Sequence, residues 1–431
     1  MATLAVILGF ALLAGSLVSQ TIFFCLVFTF AFLPVRDFTD VHIGFITVET
    51  LITGALLGVM GVRMFFYRAH NQVRLSSIWL SWVFIGFGAI SATLVIAMGI
   101  PEGFKMLYRL AFPIIAFLYF ITCMKKEDIE KTLNLIIIIG LGISLAVLFH
   151  SLVFGGGWRI SAGVERFEGT GSINEHGYSM GLLTIISYVR MRTGGKWHIY
   201  GPLAALFALQ VLLTITRGAI FATALGLVAF ELFGQRGGIT ARLLLVSALV
   251  MGMLAAVLFY APLRDRIFAT HYKDVGHKGT AIQQFEASFE KSGRGVLWRF
   301  VIKRVTGDYH LITGYGLGRA EVDVTRYIGN VPHNEYFRML YEMGIIGLLL
   351  FIALLIQLWR IARNGVKHAE NNLQLWITGT SVGIVMLYSA GAMVSNTINN
   401  YKNLGLFLYM FIAFVLISKM QSKNNGSTRI C

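Results

Sequence analysis

The sequence predicts an all-α, polytopic membrane protein of about 12 transmembrane helices with one large external loop subdomain. Three observations carry this. Of 431 residues, 56% are hydrophobic and only 13% are charged, against roughly a quarter charged in soluble domains. Mean hydropathy is +0.71. Apolar runs long enough to cross roughly 30 Å of hydrocarbon, at about 1.5 Å per helical residue, recur from end to end.

Taken in order, the runs fall at 3–34 (one long span or two short ones), 43–62, 76–99, 106–123, 133–154, 177–190, 199–216, 218–234, 241–261, 343–359, 374–393 and 403–418. They divide the chain into N-terminal spans over 1–262, a large external loop over 263–342, and C-terminal spans with a basic tail over 343–431. Met1-Ala2-Thr3-Leu4-Ala5 has no basic leader, so the first run reads as retained. A bend near Ser19-Gln20-Thr21 would make it a hairpin without changing anything downstream.

Lys and Arg set the orientation, because cytoplasmic loops hold positive charge. Arg63/Arg68/Arg74, Lys125/Lys126/Lys131, Arg190/Arg192/Lys196, Arg236/Arg242, Arg360/Arg363/Lys367 and Lys419/Lys423/Arg429 occupy every second connection. The net charge of +15 is therefore mainly a topology signal. No soluble basic face with stacking aromatics accompanies it, so no nucleic-acid partner is expected. Cys25, Cys123 and Cys431 are too scattered for a disulfide frame and read as packing residues.

Two external segments interrupt the apolar pattern. One runs from Gly155 through Arg166 and Gly169 to His176, a shaped loop rich in glycine and charge. The other is the large loop, where Leu297, Val301 and Arg304 recur at helical spacing and Gly314-Tyr315-Gly316-Leu317-Gly318 reads as a turn. That glycine alternation has no strand-turn-helix context, which argues against a nucleotide loop.

Four basic side chains are candidates for chemistry. Arg217 stands where two apolar spans meet with almost no loop, on the external side by parity. A guanidinium there must reach water, a carboxylate or a phosphate, and its planar fork suits a diphosphate. A headgroup-bound snorkelling arginine is the plainer alternative. Arg294, near Trp298, is by itself an ordinary loop arginine, and Arg166 could as well form a local ion pair with Glu165 or Glu168. His333 opens a helix about ten residues before Gly344 and Gly347, whose small size would permit close helix approach. An imidazole with an unperturbed pKa near 6.5 can accept a proton at neutral pH. Asn334 can cap the following helix or orient the ring. Glu335 and Glu342 could orient it through a carboxylate or be solvated charges. Arg109 and Glu49 read as a structural ion pair. Glu321/Asp323 and Asp37/Asp40 are acidic pairs without His or Asn partners at ligand spacing, so no metal site is expected.

His333-Asn334, nine residues, Gly344, two residues and Gly347 together resemble the signature of the O-antigen ligase and O-antigen polymerase family. Thr216-Arg217-Gly218 resembles that family's Ser/Thr-Arg-Gly element, Arg294 with Trp298 its arginine-and-tryptophan element, and Arg166 more loosely its upstream loop. The resemblance implies a cofactor-free, metal-independent, inverting glycosyltransferase of the GT-C type in the bacterial inner membrane, with its active site facing the periplasm. The implied donor is a glycan on undecaprenyl diphosphate. Arg217, Arg294 and Arg166 would hold the diphosphate, and His333 would act as base, supported by Asn334, Trp298 and Glu335. The implied acceptor is lipid A-core for a ligase, or another lipid-linked glycan for a polymerase, with membrane lipids around both. The His-Asn spacing leans to ligase. The Arg166-to-Gly177 interval also fits polymerase loops. A transporter of lipid-linked glycans would use the arginines but not His333.

Overall fold

The computed structural model describes residues 12–33, 42–43, 46–67, 75–161, 164–169, 173–235, 240, 242–248, 251–252, 293–307, 310–328, 333–399 and 401–427. Among these, six segments are long and apolar enough to cross a membrane: Leu75–Ala97, Glu102–Cys123, Lys126–Phe154, Glu335–Lys367, Asn372–Val394 and Lys402–Lys419. Shorter apolar helices, Gln20–Phe32, Leu51–Phe66 and Trp197–Leu213, lie among them. The chain is a multi-pass, helical membrane protein. Most of the expected run at 241–261 and much of the large loop lie outside the described residues.

In chain order the helices are α1 (Gln20–Phe32), α2 (Val48–Phe66), α3 (Trp79–Ala97), α4 (Glu102–Cys123), α5 (Lys126–Phe154), α6 (Ile173–Arg192), α7 (Trp197–Leu213), α8 (Arg217–Phe233), α9 (Gly293–Gly307), α10 (Arg319–Ile328), α11 (Glu335–Lys367), α12 (Asn372–Val394) and α13 (Leu406–Ser427). Among the described residues two short antiparallel hairpins depart from the all-α expectation: β1 (His42–Ile43) with β2 (Ile46–Thr47), and β3 (Trp158–Ser161) with β4 (Val164–Phe167). In the second, Arg159 lies opposite Arg166.

The first apolar run is two helical pieces broken at Ser19, which caps α1 by accepting from the Ile22 amide. Arg63 meets the break, donating to the carbonyls of Ser16 and Leu17 and to the Tyr119 hydroxyl. A buried arginine at this depth needs such acceptors to offset its lost hydration.

At the bundle's centre, α12 packs against α6, α8, α11 and α13. Small residues make this possible. A Cβ added at Gly226 of α8 would lie 2.8 Å from the Gly383 carbonyl oxygen, and one at Gly379 would lie 2.7 Å from the Phe230 ring. Gly379 and Gly383 form a small-xxx-small pair that lets the two backbones approach, the interaction that lipid cannot replace. Arg190 pairs with Glu130 at 2.7 Å, Arg192 with Glu231 at 3.1 Å, and Arg363 stacks over Phe233. These contacts gather the basic ends of α5, α6, α8 and α11 at one end of the bundle.

The opposite end is shaped by a break in α11. Gly344, expected to permit helix approach, instead takes φ 66° and ψ −165° and interrupts the helix. Interruption frees carbonyls that must be satisfied away from water. Those of Tyr341 and Glu342 accept from the Tyr315 and Gly316 amides, and the Ile345 amide donates to Leu311. The glycine-alternating turn is thus a strap docked on the break, and Ser91 ties it to α3 by accepting from the Leu317 amide. A Cβ at Gly344 would overlap the Ile312 carbonyl. Gly344→Ala should therefore cost about 3 kcal/mol or more, combining overlap with a backbone region that is essentially glycine-only. Thermal unfolding in detergent checks this; a wild-type midpoint would mean that the strap and break can rearrange freely.

Beside the strap, a second small core forms from Val301, Val305, Ala320, Val324 and Tyr341, with Trp298, Phe300, Tyr315, Phe337 and Leu340 packed on it. It attaches α9 and α10 to the first turns of α11.

Candidate active site

Arg166, Arg217 and His333, far apart in sequence, line one cavity of about 190 Å³ together with Asn174, Tyr178, Ile215, Thr216, Gly218, Val394 and Ser395. Three helix starts meet there: α6 brings Asn174, α8 brings Arg217 and Gly218, and His333 lies just before α11. A helix start carries the positive end of the helix dipole, which favours an anion, and the start of α8 has no side-chain cap on its first amides. Two guanidinium groups add to this, and no carboxylate is among the lining residues.

The turn carrying Arg217 is unusually constrained. Ile215, buried and β-branched, has φ 49°, a conformation that costs such a residue on the order of 1–3 kcal/mol. Arg166 holds the turn in place. Its Nε donates to the Thr214 carbonyl and its Nη2 to the Thr216 hydroxyl, both at 2.9 Å. Thr214 adds a bond from its hydroxyl to the Val211 carbonyl and accepts from the Thr216 amide. The glycine after Arg217 has a steric reason: a Cβ there would lie 2.9 Å from the Tyr178 hydroxyl and 3.0 Å from Val394. Gly177 similarly lets α6 approach Thr214 and Ala219. Gly169, at φ 65°, turns the chain over the His176 ring, which is buried and hydrogen-bonded to Gln210.

His333 precedes Asn334, whose side chain accepts from the amides of Tyr336 and Phe337 and so caps α11. Capping is one of the two roles expected of Asn334. Glu335 and Glu342 are not solvated: both are fully buried, Glu335 accepting from the Ile398 amide and Glu342 from the Ala320 amide. Trp298 packs its ring 4.9 Å from that of Phe337 and is not among the cavity's lining residues. Arg294 lies on α9, and its side chain is outside the described residues.

Arg109 is paired with Glu321 at 3.3 Å and also donates to Asn399; the side chain of Glu49, its expected partner, lies outside the described residues. Burial opposes ionisation of the Glu321 carboxyl, but Arg109, Arg338 and Lys105 outweigh it and hold its pKa below the ordinary value. Asp323 is engaged by Arg319 at 2.9 Å and by the Tyr341 hydroxyl at 2.7 Å. Both acids are thus committed to partners of their own. Asp37 and Asp40 lie outside the described residues, and among the described residues no group of three His, Cys, Asp or Glu is placed to hold a metal ion.

Tyr178, Val394 and Ser395 are cavity residues that sequence reasoning did not single out. For Ser395 a signal existed: a polar run, Ser395-Asn396-Thr397, directly follows the apolar stretch of α12.

Fold and cavity together define a multi-pass membrane protein with a cationic pocket built on converging helix starts. Residues 202–352, running from α7 into α11 and containing Arg217, His333 and Gly344, match the family model described as O-antigen ligase. The family is one of membrane enzymes of the glycosyltransferase type. Comparison with curated proteins finds no match.

Proposed function

We propose that the protein transfers a glycan from undecaprenyl diphosphate to an acceptor hydroxyl, with lipid A-core as the acceptor, as an inverting, metal-independent O-antigen ligase on the periplasmic face of the bacterial inner membrane. One observation carries the reading: Arg166, Arg217 and His333 share one cavity. A departing diphosphate needs fixed positive charge, and an attacking sugar hydroxyl needs a base. Arg217 and Arg166, with the α6 and α8 amides, would neutralise the diphosphate, and Arg294 is the third candidate for this role. His333 would take the hydroxyl proton as the acceptor oxygen bonds to the anomeric carbon and the bond to the diphosphate oxygen breaks. Displacement from the opposite face inverts that carbon. Two or three guanidinium groups can offset a diphosphate without a divalent ion.

The polymerase reading differs only in the acceptor and draws its support from Arg166, which lines the same cavity. The two are separated by supplying purified protein with lipid-linked glycan and either lipid A-core or a second lipid-linked repeat. Transfer to lipid A-core is expected; chain extension alone would assign a polymerase. Movement of intact donor across a vesicle membrane, with no bond made, would assign a transporter.

A further inference from the structure

Part of the wall of the cavity that His333 lines comes from the end of α12, where Ser395 leaves the helix at φ −151° and the chain turns through Asn399 before the π-helical stretch Tyr401–Gly405. This turn has little regular structure of its own. Its place is set from α11. The Glu335 carboxylate accepts from the Ile398 amide at 3.0 Å, and Arg338 donates to the Asn399 side chain at 3.1 Å, an acceptor it shares with Arg109. Glu335 and Arg338 lie 3.4 Å apart with no exposed surface, and the carboxylates of Glu342 and Glu321 also act on Arg338.

His333, Asn334 and Glu335 are consecutive, so one short segment lines the cavity, caps its own helix and grips the turn that continues from the Ser395 wall. We propose that Glu335, with Arg338, is a positioning residue that fixes the spacing between His333 and the Ser395 wall, and hence the place of the acceptor hydroxyl between them. The proposal rests on the glycosyl-transfer reading above. A buried ion pair is seldom retained for stability, since apolar residues of similar volume often serve as well or better. Here its oxygen satisfies the Ile398 amide, three residues beyond Ser395 in the turn that continues from the cavity wall. A misplacement of about 1 Å can cost a reaction on the order of 10²-fold.

The test compares Glu335→Gln/Arg338→Met with Glu335→Leu/Arg338→Met. Neither leaves Arg338 unpaired, and they differ in whether an oxygen remains for the Ile398 amide. Glu335→Asp, which keeps the charge but retracts the carboxylate, is read beside them as the mildest change. Turnover, undecaprenyl diphosphate affinity and the labelling rate of a Ser395→Cys reporter are measured, with Cys25, Cys123 and Cys431 replaced by serine. Relative to the Gln/Met protein, the Leu/Met protein should lose turnover about tenfold or more while donor-diphosphate affinity holds within about twofold, and its reporter thiol should label faster. Glu335→Asp should lie between wild type and Leu/Met. Equal turnover and equal labelling in the Gln/Met and Leu/Met proteins would overturn the proposal, as would unchanged labelling in Glu335→Asp if Leu/Met does not fold. Labelling reports the wall whether or not a glycan is transferred, so failure here is distinct from failure of the transfer reading.

Discussion

His333→Ala should lower glycan transfer by a factor of about 10² to 10⁴, the usual cost of losing a positioned general base. Undecaprenyl diphosphate should still bind, because the groups assigned to it are Arg166, Arg217 and the amides of α6 and α8. The helix should remain capped, because Asn334 and not His333 accepts from the Tyr336 and Phe337 amides. Single-turnover transfer and diphosphate binding, measured on the same preparation, check this. Near-native transfer by the alanine variant would remove His333 from the mechanism.

Arg217→Ala should lower turnover by about 10² to 10³, the scale for removing one preorganised donor from a developing negative charge. It should also weaken diphosphate binding. Lysine at 217 should restore only part of either, since it keeps the charge and loses the fork. Arg166 should behave differently, because its guanidinium already spans the Thr214 carbonyl and the Thr216 hydroxyl. Arg166→Ala should therefore reduce thermal stability as well as turnover, by about 2 kcal/mol or more for two charge-assisted bonds to a buried turn. Lysine at 166 cannot make both bonds with the same geometry. Unchanged turnover and diphosphate affinity in both alanine variants would refute the arginine clamp.

The helical class was legible in composition, and most helix positions in apolar run length, because hydrocarbon admits few alternatives. The resemblance that the family model matches over residues 202–352 was legible in short motifs at Thr216–Gly218 and His333–Gly347. Their physical reasons were not. Gly218 leaves room for the Tyr178 hydroxyl and Val394, contacts made between α6, α8 and the end of α12. Gly344 breaks α11 rather than easing its packing, because the partner that satisfies the break, residues 311–316, lies in a loop without periodicity. Arg109 showed its need for a carboxylate, but Glu321, more than two hundred residues away along the chain, was not legible as a partner. Glu335 read either as a carboxylate that orients the His333 ring or as a solvated charge at a helix start. Only the fold reveals that the turn after α12 covers it.

The most direct test of the central claim is the anomeric configuration of the transferred sugar, determined on product made by purified protein in excess chelator from lipid-linked glycan and lipid A-core. Product at an undiminished rate, an inverted linkage, and one undecaprenyl diphosphate released per bond formed are expected. A retained linkage, or transfer that stops in chelator and returns with magnesium or manganese, would contradict it.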